Sequence, residues 1–217
     1  MNNLIKNKIL IINLIVFLIL SFESNNIFAE STIDIDADKI IFDQNQNKIN
    51  AEGNVVVKSN GIEIYSDTVT YDKNKERIDA SENVKIKDNF KNTYYSNSLI
   101  TNNNFTKAKA DNVRIRLKDD ARIVGRSFSK NNEINVISNG QYTACKEDGY
   151  LIDDCPGWKL KAKNVYHDES SKTMHYDHSI LYVMNIPVLY SPYFSHPDPS
   201  VKKRSGLLAP SFKADNN

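Results

Sequence analysis

"NVVVK" at residues 54–58 returns as "NVKIK" at 83–87 and as "NVRIR" at 112–116, 29 residues apart each time. Each copy reads asparagine, apolar, any residue, apolar, cation. Val55/Val57, Val84/Ile86 and Val113/Ile115 are spaced by two. That is the period of a β-strand, so each pair points to one face while Val56, Lys85 and Arg114 point to the other. Such alternation marks strands buried on one side. The similarity extends upstream. "ADKIIFD" at 37–43 matches "SDTVTYD" at 66–72, and "KINAEGNV" at 48–55 matches "RIDASENV" at 77–84. The third copy slips by one residue at "SNSLITN", 96–102. A fourth lies in "AKNVYHD" at 162–168 and "MHYDHSIL" at 174–181, which resembles residues 49–56.

The polar groups "DQNQNK", "KSNG", "DKNKE" and "SKNNE" separate the strands as turns, and no convincing amphipathic helix follows Ala29. A 29-residue unit of short strands cannot bury its own apolar face, so the copies must cover one another. The expectation is an all-β fold, a stacked antiparallel β-jelly roll or folded sheet. Ile40, Val55, Val57, Ile64, Val69, Ile78, Val84, Ile86, Val113 and Ile115 are expected to line its interior. Periodicity does not choose between a closed roll with a dry core and an open sheet whose inner face is an apolar groove. The pattern alone favours the dry core. At the start of the fold, Ile33, Ile35 and Ala37 alternate with Asp34, Asp36 and Asp38. The glycine and distal glutamate of a calcium loop are missing, so the aspartates read as a charged guard on an exposed strand edge.

Lys6 and Lys8 precede the apolar run Ile9–Leu20, and a small residue, Ala29, follows. This describes a secretory signal peptide over residues 1–29, too short for the roughly 20 apolar residues of a transmembrane helix. With 28 basic and 27 acidic side chains, no global field selects nucleic acid or an anionic surface. His167, His175, His178 and His196 are the only histidines. The spacing of His175 and His178 puts them on opposite faces of a strand, a poor metal pair. No nucleophile elbow, phosphate loop or metalloprotease signature occurs, so neither an enzyme, a metal nor a cofactor is expected. Cys145 and Cys155 are an even pair in an exported chain. Either a local bridge or partners elsewhere would satisfy them.

The "AD…D…GNV" repeat resembles the OstA-like domain shared by lipopolysaccharide-transport proteins of the LptA and LptD type. "YTAC…CPGWKLKAKNVYHD" with "NIPVLYSPYFSHPDPSVKKRSGLLAPSF", within residues 142–212, looks like the LptD type specifically. The resemblance implies the open-groove version of the fold, over residues 30–189. It also implies lipopolysaccharide carried on the inner face and edge-to-edge pairing with an LptA-type bridge protein through Ile33, Ile35 and Ala37. The site is the periplasm, attached to the outer membrane where a C-terminal barrel and its LptE-type lipoprotein are present. Residues 190–217 would be a proline-rich linker, with Pro192, Pro197 and Pro199, leading into the first barrel strand. Lys202, Lys203 and Arg204 would then sit next to the membrane. Only five residues follow Phe212, so the expectation is the periplasmic part without the barrel. The family pairs its periplasmic cysteines with barrel cysteines, and without those a Cys145–Cys155 bridge is the default. A free-standing LptA- or LptC-like bridge protein and a ligand-free structural β-solenoid are the alternatives.

Overall fold

The structure, a computed structural model, describes residues 33–118, 120–144, 157–198 and 200–201. The alternating runs form twelve antiparallel strands, all within the compact unit that begins at Ser31. They are β1 (Asp34–Asp36), β2 (Lys39–Asp43), β3 (Lys48–Ser59), β4 (Ile62–Asp72), β5 (Arg77–Lys87) and β6 (Thr93–Asn102). The remainder are β7 (Lys107–Arg116), β8 (Arg122–Asn131), β9 (Ile134–Thr143), β10 (Trp158–Asp168), β11 (Thr173–Val183) and β12 (Ile186–Pro197). From β3 onward the sheet order follows the chain. β1 and β2 pair with opposite ends of β3, so they are two halves of one interrupted strand. Among the described residues β12 pairs only with β11, and no further strand covers either edge of the sheet.

Short polar segments make the hairpins. Asn60 and Gly61 both have positive φ, the two-residue turn whose twist matches the strands it joins. At the opposite ends of the strands, Asp43, Asp72 and Asp168 each accept two backbone N–H bonds from the turn that follows.

The sheet is bent along a line crossing the middle of its long strands. The registers slip at Glu52/Val55, Tyr65/Thr68 and Ser81/Val84, and pass over Asn112, Arg126, Asn139, Lys163, His178 and Pro192. Asn54, Asn83, Asn112, Asn139 and His178 lie on this line with φ of 47–52°. Asparagine tolerates that left-handed conformation better than most residues, so the asparagine heading each repeat is the corner of the fold. Asp38 and Asp67 accept from Nδ2 of Asn54 and Asn83, which accounts for the aspartate of the same repeat.

The one-residue slip of the third copy also has a structural cause. Ile86 to Tyr94 is one residue longer than the equivalent Val57 to Ile64. β7 then omits one bulge residue, since Ala110 and Val113 stand where Ala80 and Val84 stood one residue further apart. The phase is restored at Asn112.

The bend divides the sheet into two leaves. The first holds β1 and residues 55–66, 84–96, 113–125, 140–162 and 179–191 where described. The second holds β2 and the other strand segments. Contacts between leaves close them on each other. Tyr94 packs on Phe128, Tyr142 packs on Tyr176 and His196, and Ser59 Oγ lies 3.5 Å from the carbonyl oxygen of Asn103. Close to the bend, Gly125 and Gly140 leave room for the side chains of Ile137 and Val165, which a Cβ would strike.

Strand β12 corrects the expected linker: residues 190–197 are paired strand. Pro187, Pro192 and Pro197 are tolerated there because β12 is an edge, where a nitrogen pointing away from the partner forfeits no ladder bond.

Candidate functional site

Two apolar ladders run from one edge of the sheet to the other. In the first leaf the register joins Ile35, Val57, Ile64, Ile86, Tyr94, Ile115, Ile123, Tyr142, Leu160, Leu181 and Leu189. In the second it joins Ile40, Ala51, Val69, Ala80, Leu99, Ala110, Phe128, Ile137, Val165, Tyr176 and Phe194. Directly paired residues share a face of the sheet, so each ladder is a stripe of side chains. Neither stripe contains a charged side chain. At about 4.8 Å per strand the stripes extend on the order of 50 Å.

The interior between the ladders is filled by the protein's own side chains. Val57, Ile64, Ile78, Val165, Met174 and Tyr176 have no exposed surface. The two alternatives left open by the periodicity are thus combined: a packed interior inside a sheet with open edges.

Of the ten expected interior positions, Val55, Val57, Ile64, Val69, Ile78, Val84, Val113 and Ile115 are buried, and Ile86 is half-buried against them. Ile40 is the correction. It shares the face of buried Ala51 but is 49% exposed. It lies on the terminal strand, where no further strand among the described residues covers it. Ile33, Ile35 and Ala37 are half-buried against the core, while Asp34, Asp36 and Asp38 face solvent.

Several interior residues escaped the sequence reading. Ala51 and Ala80 repeat with the same 29-residue period, and their small side chains alternate with Val69 and Leu99 along the second ladder. Tyr142, Tyr176, Phe194 and His196 form an aromatic cluster near the C-terminal edge. Of these only Tyr176 falls in a repeat, in the fourth copy at the position of Ala51, and no repeat signals the other three.

The histidines divide. His175 and His178 both reach outward to tyrosines of β12, with Nδ1 at 2.6 Å from Tyr193 Oη and 2.8 Å from Tyr190 Oη. The bulge at His178 shifts the alternation, so the expected opposite faces do not hold. His196 is buried. Its Nδ1 donates to the Pro197 carbonyl, leaving Nε2 to accept from Tyr176 Oη at 2.7 Å. Burial pushes the pKa of His196 down and that of Tyr176 well up, so both are held neutral. His167 Nε2 lies 2.6 Å from Asp198 Oδ2. Burial pushes the Asp198 carboxyl up, but bonds from His167 and Ser200 outweigh it and hold the group well below the usual carboxylate range.

Among the described residues no group of three or more His, Cys, Asp or Glu side chains is arranged to hold a metal. The expected signal peptide over residues 1–29, Cys145 and Cys155, Pro199, and Lys202, Lys203 and Arg204 lie outside the described residues.

Residues 34–142 match the family model "LptA/(LptD N-terminal domain) LPS transport protein". The chain belongs to this family. An LPS-assembly protein LptD of Idiomarina loihiensis is 28% identical over 126 residues, covering 54% of the chain and 16% of the relative. The LPS-assembly protein LptD of Francisella tularensis subsp. novicida is 34% identical over 73 residues, covering 32% and 8%. The matched stretch is thus a small part of these relatives' length. The crystal structure of LptH, described as the LptA-homologous periplasmic component of the lipopolysaccharide transport device of Pseudomonas aeruginosa, matches at 14% identity. That match covers 77% of this chain and 96% of that one, with a TM-score of 0.28. An LPS transport protein of this family is a carrier and not an enzyme.

Proposed function

We propose that the chain is the periplasmic, lipopolysaccharide-binding part of an LptD-type translocon. Acyl chains of the lipid enter between the leaves and move along the two ladders from the β1/β2 edge toward β12. The observation behind this reading is the edge-to-edge continuity of uncharged rungs on both leaves.

An LptA-type bridge protein would deliver the lipid by adding its last strand to β1 and β2. Those strands contain no proline, and their outward aspartates discourage self-pairing. The opposite edge differs. The three prolines of β12 each remove a donor that strand addition would use. This asymmetry supports a terminal acceptor over a free-standing bridge protein, which must offer a pairing edge at each end. The LptD name of the relatives supports the same reading. The leader-like residues 1–29 support export to the periplasm.

The test is site-specific photo-crosslinking in cells. Probes at Val55, Val84 and Val113 are expected to capture lipopolysaccharide. Capture only at outward positions such as Lys58 and Lys87 would place the lipid on the wrong face for this reading.

A further inference from the structure

Beyond the inner ladders, the outer face of the second leaf has a concavity of about 900 Å³. Its floor is apolar: Ile100 and Ile134 are 41% and 40% exposed, and Val136 lies beside them. Five cations, Lys75, Arg77, Lys107, Lys109 and Lys130, line it without a carboxylate. Three of these meet acids outside the lining. Arg77 Nε is 2.7 Å from Asp79, Lys130 Nζ is 2.6 Å from Glu169, and Lys75 Nζ is a distant 3.9 Å from Asp72. Lys107 and Lys109 have no carboxylate within 4.0 Å among the described residues. They are two apart on β7, so both project from the same face. In register beside them are the neutral polar groups Ser129 and Asn131.

We infer that this groove holds the phosphorylated sugar headgroup of a lipopolysaccharide, with phosphates on Lys107 and Lys109 and sugar rings over the isoleucine floor. The inference rests on the lipid-carrying reading above and extends it to the polar half of the same molecule. A flat membrane surface fits poorly, because a concave site receives a discrete ligand, and its volume is of the size that small-molecule sites have. A bare anion would use the lysines but not the floor. An amphipathic, phosphorylated sugar uses the cations, the hydroxyl-binding groups and the apolar surface together. The site also lies at the margin of the leaf, beside the turn joining β6 and β7, where Asn103 meets Ser59 of the first leaf. A headgroup emerging from between the leaves passes this margin.

The test uses the full chain and three soluble probes: a diphosphorylated glucosamine disaccharide without acyl chains, the same disaccharide without phosphates, and inorganic phosphate. Calorimetry is expected to detect only the phosphorylated disaccharide. K107Q/K109Q should weaken it by about tenfold, and added salt should weaken it in the wild type. Both lysines are exposed, so the variant should keep the wild-type circular dichroism spectrum. Equal binding by wild type and variant would overturn the inference. So would inorganic phosphate binding as tightly as the disaccharide, or phosphatidylglycerol vesicles binding in a manner lost in K107Q/K109Q. A crosslinker at Val84 separates the two readings. Lipid capture there with no binding of the disaccharide would refute the headgroup site alone. Loss of both would refute the lipid-carrying function as well.

Discussion

Asn83 sits at φ 52° on the bend, and Nδ2 donates to Asp67. A β-branched residue cannot adopt this conformation without crowding, whereas glycine can. Asn83→Val should cost about 2 kcal/mol, and Asn83→Gly less than about 1 kcal/mol, by urea denaturation. Equal costs would mean that the left-handed corner is not what the asparagine supplies. His196 makes a second residue-scale prediction. Its folded pKa is depressed, so the unfolded chain binds more protons once the pH falls below the ordinary histidine value of about 6.5. Its stabilising contribution is therefore present above that value and lost as the pH falls toward the folded pKa. The urea midpoint of the wild type should drop between about pH 7 and pH 5, and the slope should flatten in His196→Phe. The depressed Asp198 carboxyl acts lower still. Its contribution fades only as the pH falls below about 4.

Among the elements, the two edges call for opposite experiments. β1 is short, charged on its outer face and free of proline, so its free backbone groups are available to a partner strand. Ile35→Pro removes a donor, and pull-down with a bridge protein should show affinity reduced by roughly three- to tenfold. Unchanged affinity would place the contact elsewhere. β12 presents Ile186, Val188, Leu189, Tyr190 and Tyr193 as exposed apolar surface, yet three prolines interrupt its edge. Replacing Pro187 and Pro192 with valine restores two donors to a sticky strand. Sedimentation should then show concentration-dependent association that the parent lacks. A monomeric variant would show that the prolines do not guard this edge.

For the molecule as a whole, the filled interior is the central constraint. Under the proposed function, lipid tails between the ladders must displace side chains that now pack against each other, so loading requires the leaves to part. Tyr94 and Phe128 face each other from opposite leaves with ring centroids 5.9 Å apart. In a Cys145→Ser/Cys155→Ser background, cysteines at positions 94 and 128 joined by a short bis-maleimide should lock the leaves. The locked protein is expected to lose crosslinking of lipopolysaccharide at Val84, while the unjoined variant retains it. Retained capture after locking would mean that the tails do not enter by separation of these leaves.

Much of this architecture was legible in the residues themselves. The spacing-by-two of Val55/Val57 and its partners set the inner face, and the 29-residue return set the stacking, because both are local, periodic properties of the chain. The "AD…D…GNV" repeat resembled the family that the match over residues 34–142 shows. Three features required the fold. Ile40 has the right pattern, but its burial depends on a neighbour strand that the sheet edge does not provide. Pro192 and Pro197 read locally as a linker, and only pairing with β11 makes them part of an edge strand. The basic groove joins Arg77 on β5, Lys107 on β7 and Ile134 on β9, residues that no repeat or motif links. Sequence periodicity reports which way a side chain points along one strand. Which strands lie beside it, and which face is left uncovered, follow from long-range pairing and from the bend that brings the two leaves together.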